Sequence, residues 1–542
     1  MLAIALFGIA FAVRAVVGSM FVGPAYPDSY YYAHVAEQLA AGKGFVTQYL
    51  WNLDDIGRLV PAPGVLPATA NGFWMPLAEI VQVPFVWLLS AGPLAAALPF
   101  WIIGALAAPL TFLVGRDAGL SRFQAVAAAL LVCAPGGLTP FMSQPDSFGL
   151  FMTLGVLALW LCARGAAGDR RAFMAGGVVV GLAALTRVDG VLLGLPFAFI
   201  GFREIWRALR GRPIALGWAP AVGCAALFLV VLSPWLLRQL ATYGSILPGS
   251  ATVWLTDYQQ LFSFGDKPTL EAFLALGPGQ LLSTRVDALL TAIGLFAVLP
   301  LSFVLAPLVI VGAWTHRRSN VFQPFFIYCA ALVALMVLAF APLVAHGTFI
   351  HAAAALVPHS FVLVVAGLAA VVRWVAERRP AWSAATATRR FTAAAVAIAF
   401  VVAGLQTVST TRQWSDVRAV QEALAERLRE APRSDRFMAV DPGAMNYLTG
   451  LQGIVTPHDE LPVIESVMST YDVRWLVVES RSIVPSLKPI LAGATRPWWL
   501  SQPVAIVPGT PLSAVAGPTP TAVPAGVLFA VCLSDGDRRC SP

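Results

Sequence analysis

Apolar runs of the length that a lipid bilayer demands recur along almost the whole of this chain, and they limit its fold more than any other feature. A helix rising 1.5 Å per residue needs about 20 mostly apolar residues to cross about 30 Å of hydrocarbon. By that measure spans are expected near 1–22, 97–115, 123–141, 147–164, 172–187, 190–202, 217–238, 287–314, 321–342, 354–374 and 391–409, eleven in all. Of the 542 residues 58% are hydrophobic and only 12% are charged, whereas a soluble domain carries about 25% charged residues. The expectation is a polytopic α-helical membrane protein whose first apolar run is a retained helix. The net charge of +7 is read as a topology signal, with no nucleic acid among the partners.

The arginines give that topology a direction. If the loop after the first span is outside, the inner connections hold Arg116 and Arg122; Arg164, Arg170 and Arg171; Arg203, Arg207, Arg210 and Arg212; Arg317 and Arg318; and Arg373, Arg378, Arg379, Arg389 and Arg390. Every inner connection then has a basic cluster, as the positive-inside rule requires. The N-terminus is cytoplasmic in this scheme, and the protein is a multi-pass component of the plasma membrane. Residues 76–91, PLAEIVQVPFVWLLSA, are shorter than a span, and counting them as one would invert the later arginines. They are expected to lie on the outer surface as a juxtamembrane helix.

Three pieces remain outside: a loop over about 23–96, a second over about 239–286, and residues 411–542, long enough for a small extracytoplasmic α/β domain following a transmembrane domain of 1–410. In the last piece RFMAV, RWLVVE and VLFAVCL read as short strands around an amphipathic middle, ahead of and after a Pro-, Ala- and Thr-rich tail. Cys133, Cys162, Cys224 and Cys329 lie in apolar runs as buried thiols, and Cys532 and Cys540 form a pair only if the tail is outside. No internal repeat, nucleotide-binding loop or hydrolase motif is present.

The polar residues at the outer helix ends are the candidates for chemistry. Asp28, in YPDSYYYAHVAEQLAAGKGF, reads either as a helix N-cap or as a partly desolvated carboxylate able to act as a base. Tyr30, Tyr31 and Tyr32 suit the interfacial aromatic belt, with Tyr32 a pocket candidate. Asp146, in SQPDSFGLF, is again a cap or a second acidic site on the same side. Arg187 and Asp189 interrupt a long apolar stretch, either neutralising one another or offering a phosphate a guanidinium oriented by a carboxylate. Arg238, in SPWLLRQLATYG, is a further phosphate candidate. His346 and His351 are spaced by five, not the three or four that put two ligands on one helix face, so they read as interfacial histidines, pocket candidates like Asp189, and no metal site is assigned.

The order of these stretches, from Arg14 through DSYYYAHVAEQLAAGKGF, then SQPDSFGLF, ALTRVDGVLLGLPF and SPWLLRQLATYGSILPGS, resembles the GT-C superfamily of membrane glycosyltransferases, nearest to the protein O-mannosyltransferases and lipid A aminoarabinose transferases. The likeness covers about residues 1–410, and the small α/β tail is similar to that of many bacterial members. It implies inverting transfer of a sugar from a polyprenyl-phosphate carrier to a protein, lipid or polysaccharide acceptor at the outer face. It makes Asp28 the catalytic carboxylate and Asp146 the second acid, with Arg187 or Arg238 stabilising the leaving phosphate. Ser29 follows Asp28 where the mannosyltransferases carry Asp-Glu. No nucleotide has to be bound in such a scheme, and a divalent cation is optional. The competing readings are a transporter or flippase of a lipid-linked glycan, disfavoured by the absence of symmetric halves, and a ligase using a diphosphate-linked donor.

Overall fold

The computed structural model describes all residues except 22, 52–65, 215, 380, 495, 510–523 and 534–542, and the side chain of residue 251. The helices used below are, in chain order, α1 (Leu2–Gly18), α2 (Pro27–Ala40), α3 (Pro93–Asp117), α4 (Arg122–Cys133), α5 (Ser147–Ala166), α6 (Arg170–Thr186), α7 (Trp218–Tyr243), α8 (Gly277–Val298), α9 (Ala306–His316), α10 (Thr348–Ala376), α11 (Ala384–Leu428), α12 (Pro442–Thr449) and α13 (Leu461–Thr470). Two compact units are present. The first comprises Met1–Pro24, Trp74–Ile246 and Leu276–Thr411, and the second Ala25–Phe73, Leu247–Ala275 and Arg412–Pro542.

The first unit is helical. All eleven apolar segments form helix, but among the described residues only six helices (α3, α5, α7, α8, α10 and α11) are long and apolar enough to cross a membrane, or seven if the bent segment beginning at α4 counts as one. Two segments differ from the expectation for a reason visible in the sequence. The run 287–314 is not one helix: α8 stops at Val298 and α9 starts at Ala306. Pro300 cannot donate the helical hydrogen bond and its ring collides with the preceding turn, and Ser302 and Phe303 take left-handed φ values of 50° and 61°. Likewise 123–141 turns by 50° where α4 meets Pro135 and the two glycines after it. Residues 76–91 form two short helices, Leu77–Ile80 and Val83–Leu89.

Small residues set how closely these helices approach. A methyl group added at Gly312 of α9 would run into the Leu363 carbonyl of α10, and one at Gly367 of α10 into the Leu308 carbonyl of α9. Gly177 of α6 meets the Cys224 carbonyl of α7 in the same way. Lipid tails are as apolar as Leu, so close backbone packing, and not burial from water, holds such pairs together.

The second unit is built on a six-stranded sheet of β2 (Tyr49–Leu50), β4 (Arg436–Ala439), β5 (Gln452–Val455), β6 (Val473–Glu479), β7 (Leu500–Val507) and β8 (Gly526–Val531), in the order β2-β5-β4-β6-β8-β7; β1 (Val46–Thr47) and β3 (Ala68–Thr69) make a separate antiparallel pair. The first four strands of the sheet are parallel to one another, and β8 alone runs the other way, pairing antiparallel with β6 on one side and β7 on the other. Parallel neighbours need crossover connections, which α12 supplies between β4 and β5 and α13 between β5 and β6. The strands expected at 436–440, 474–479 and 527–533 are present, while β5 and the edge strand β2, from the first loop, were not legible as strands.

Alternation along the strands sends successive side chains to opposite faces. Phe437, Val477 and Leu528 pack with Leu424 and Leu428 of α11 on one face, and Met438, Val478 and Phe529 pack with Ile464, Val467 and Met468 of α13 on the other. The second loop is tied to this unit by Asp459, whose carboxylate accepts hydrogen bonds from Ser263 Oγ (2.7 Å) and from the Phe264 (2.8 Å) and Gly265 (2.9 Å) amides. Cys532, beside β8, is disulfide-bonded, and Cys540 lies outside the described residues.

The close α9–α10 approach yields a prediction. Gly312→Ala should lower the melting temperature of the detergent-solubilised protein by about 3 °C or more, since overpacking costs about 1–3 kcal/mol. Gly8→Ala, with nothing within 4 Å of the added carbon, should leave it unchanged or slightly higher; equal effects at both positions would contradict the packing account.

Candidate active site

In the first unit the site is assembled at helix ends. Asp146 is the N-cap of α5, as its sequence setting suggested: one carboxylate oxygen accepts hydrogen bonds from the Ser147 amide and from Ser147 Oγ (2.9 Å). Its other oxygen lies 3.3 Å from His351 Nε2. His351 is in the first turn of α10, its ring stacked on Phe148 at 3.7 Å between centroids and its Nδ1 2.9 Å from the Gly347 carbonyl. Because Nδ1 donates to that carbonyl, Nε2 turns to the carboxylate either with a second proton or with its lone pair toward a cation.

Arg187 joins the same segment. It follows the last turn of α6, and its Nε and Nη2 donate to the two oxygens of Asp189 at 3.0 and 2.8 Å, a two-pronged ion pair with both side chains largely buried. Nη2 also reaches the Thr348 carbonyl at 3.3 Å, so the residue three before His351 in α10 is held by Arg187. Thus Asp146, His351, Arg187 and Asp189 are gathered around one short stretch, Thr348–His351. The histidine reading changes accordingly: His351 is partnered by an acid, whereas His346 is exposed at the end of the turn before Gly347. Arg238 is on α7, with Nη1 2.6 Å from Gln239 Oε1 and the guanidinium over the Trp235 and Tyr243 rings.

Asp28 belongs to the second unit. It is not the N-cap of α2: that position is Tyr26, Pro27 is the first helical residue, and Ser29 Oγ accepts the Tyr26 amide at 3.1 Å and donates to the Tyr26 carbonyl at 2.7 Å. Capping therefore does not explain Asp28, although a carboxylate in the first turn is favoured by the helix dipole. The tyrosines are not an interfacial belt either. Tyr30, Tyr31 and Tyr32 are 3%, 0% and 2% exposed; Tyr30 packs on Tyr447 of α12, Tyr31 Oη accepts the Asn71 amide at 2.8 Å, and Tyr32 lies edge-on to Tyr31. They fix α2, and so Asp28, on the sheet-bearing unit. His34, whose Nε2 accepts the Gln48 amide at 3.1 Å, is pushed down to about 4 by burial and by Lys43, and is neutral near pH 7.

Sequence reasoning missed a second acid in this unit. Asp441 caps α12 through the Ala444 amide (3.0 Å) in the strand-to-helix turn Asp441–Pro442–Gly443. Burial, with a smaller push from the charge of Asp28, raises it to about 6. Burial and Asp28 likewise raise Tyr258 to about 12. The signal available was the Asp-Pro-Gly turn after a strand, which marks a cap and gives no hint of the field around it. Glu479 of β6, buried and 3.4 Å from Gln421 Nε2 at both oxygens, is raised to about 7 by burial first and Asp441 second.

These raised acids set a sign for stability. The folded chain keeps protons on Glu479 and Asp441 where the unfolded chain has lost them, so the stabilisation present below about pH 4 is lost as pH rises through about 6 to 7. The melting temperature should fall between pH 5 and 8, and Glu479→Gln should flatten much of that fall; an unchanged slope would remove Glu479 as its source.

No protein-family model matches the chain, and no curated protein matches it. Solved structures do. The chain is similar to the Archaeoglobus fulgidus oligosaccharyltransferase in its complex with Zn and sulfate, at 16% identity over 94% of this chain and 72% of that one, with a TM-score of 0.56. It is similar to ArnT from Cupriavidus metallidurans bound to undecaprenyl phosphate at 13% identity over 99% of both chains, with a TM-score of 0.55, and to apo ArnT at 0.54. With helices apolar enough to span a membrane and matches running along nearly its full length, the chain has the fold of the GT-C membrane glycosyltransferases that its sequence resembles.

Proposed function

We propose that the protein is an inverting glycosyltransferase that moves a sugar from a polyprenyl-monophosphate carrier to an acceptor hydroxyl at the outer face of the plasma membrane. The observation that carries this reading is the gathering of Asp146, His351, Arg187 and Asp189 around Thr348–His351, at the ends of helices of which α5 and α10 are apolar and long enough to cross a membrane. Ionisable groups at such positions are costly to keep and mark functional sites. The arginine-rich connections support a cytoplasmic N-terminus and a site outside, where a lipid-linked donor is available and a cytosolic nucleotide sugar is not.

In this reaction Asp28 takes the proton of the acceptor hydroxyl as its oxygen attacks the anomeric carbon from the face opposite the phosphate. The bond from that carbon to the phosphate oxygen breaks, and the lipid phosphate leaves with the electron pair. Arg187, held by Asp189 in an orientation that keeps its guanidinium plane fixed, stabilises the charge that develops on the phosphate, and Arg238 is a second cation for the same purpose. Asp146, fixed by its cap, holds His351.

The donor set of Asp146 and His351, a carboxylate oxygen and an imidazole nitrogen 3.3 Å apart, also fits a divalent cation, with remaining positions left for substrate or water. Bound there, such an ion would offset phosphate charge. The oligosaccharyltransferase neighbour was solved with Zn and sulfate, which supports testing metal dependence.

Purified protein supplied with a polyprenyl-phosphate sugar should release polyprenyl phosphate, and Asp28→Asn should slow that release by about 100-fold or more with donor binding retained. Arg187→Gln should cost about 10²-fold through loss of charge stabilisation, partly regained in Arg187→Lys. Wild-type turnover in Asp28→Asn would contradict the assignment of the base.

A further inference from the structure

A groove of about 200 Å³ runs between α9, α10 and α11, lined by Val304, Leu308, Leu368, Phe391, Ile398 and neighbouring alanines, with Ser302 its one polar lining residue. One wall is the broken backbone at Ser302 and Phe303, where α8 gives way to α9. The groove opens outward, since Val304, Phe391 and Ile398 remain exposed. On α11 its residues recur three and four apart from Phe391 to Val402, a stripe about 16 Å long, which suits an extended hydrocarbon chain.

Apolar shape alone selects nothing in a bilayer, because any lipid tail is as apolar as the groove. What distinguishes this one is its charged end. Arg390 lies one turn before Ala394 on the same stripe, Arg389 is beside it, and both are exposed; neither makes an ion pair or side-chain hydrogen bond among the described residues. The same ends of α9 and α10 are marked as a membrane interface by Arg317 over the Trp314 ring at 4.3 Å and Arg378 over the Trp374 ring at 4.2 Å. This is the end of α10 opposite His351, about 30 Å along the helix, so a phosphate held at Arg390 is not the donor phosphate of the proposed reaction.

We propose that this groove binds an anionic diacyl phospholipid, with one acyl chain along α11 and the headgroup phosphate on Arg389 and Arg390. The charge of the headgroup complements two arginines, and the tail fills the apolar cleft.

Native mass spectrometry of the full-length protein in detergent, titrated with phosphatidylglycerol and with phosphatidylcholine of identical chains, tests this. The expected result is preferential retention of one phosphatidylglycerol, reduced at least about fivefold in the double variant Arg389→Gln/Arg390→Gln, and left unchanged in Arg317→Gln/Arg318→Gln. Ala395→Trp, which fills the groove, should remove retention while the arginines stay. Equal retention of both lipids, or unchanged phosphatidylglycerol retention in Arg389→Gln/Arg390→Gln, would overturn the proposal. So would displacement of phosphatidylglycerol by an equimolar amount of undecaprenyl phosphate, which would make the groove a donor-lipid site. Because Arg389 and Arg390 are exposed, their variant folds whether or not Ala395→Trp does. Loss of glycosyl transfer in Asp28→Asn leaves this binding unaffected, so the two accounts fail separately.

Discussion

A backbone inside hydrocarbon must satisfy its own hydrogen bonds, and that constraint organises the whole first unit. Regular helix fills the apolar segments, and polar chemistry is pushed to the places where helices start, stop or break. Asp146 is at the start of α5, Arg187 just beyond the end of α6, and His351 in the opening turn of α10. Each of these side chains also has a local structural role, whether as a cap, as half of an ion pair, or, for His351, as a second donor beside its own amide to the Gly347 carbonyl at the helix start. Residues held for such reasons are fixed in place independently of any substrate, the preorganisation that the proposed stabilisation of a leaving group would need.

Much of this was legible in the sequence, because the period and length of apolar runs report directly on lipid. Helices appear at every expected segment, and Asp146 was readable as a cap from its position ahead of an apolar run. The breaks were less legible. Pro300 and Pro135 were visible, but the hydropathy of 287–314 and 123–141 hid their effect, since an average over a window does not register one missing donor. The contact between His351 and Asp146 joins residues 205 positions apart, and spacing along one helix, the test applied to His346 and His351, cannot see a partner on another helix.

The second unit taught the opposite lesson about Asp28 and its tyrosines. Aromatic residues after a membrane helix suggest an interfacial belt, yet Tyr30, Tyr31 and Tyr32 are interior residues of a sheet-bearing unit to which the first loop gives the edge strand β2. A two-residue strand has no periodicity to detect. The same burial that fixes these rings raises Asp441 and Glu479, so the unit that carries Asp28 is also the one whose stability follows pH.

The most direct test of the central claim compares two donors. Purified protein is given a polyprenyl-monophosphate sugar and, separately, the matching polyprenyl-diphosphate sugar, and the released lipid is identified by mass spectrometry. The account predicts release of polyprenyl monophosphate from the first donor and negligible turnover of the second. Turnover of the diphosphate donor alone, or of neither in the presence of acceptor-containing membranes, would contradict it.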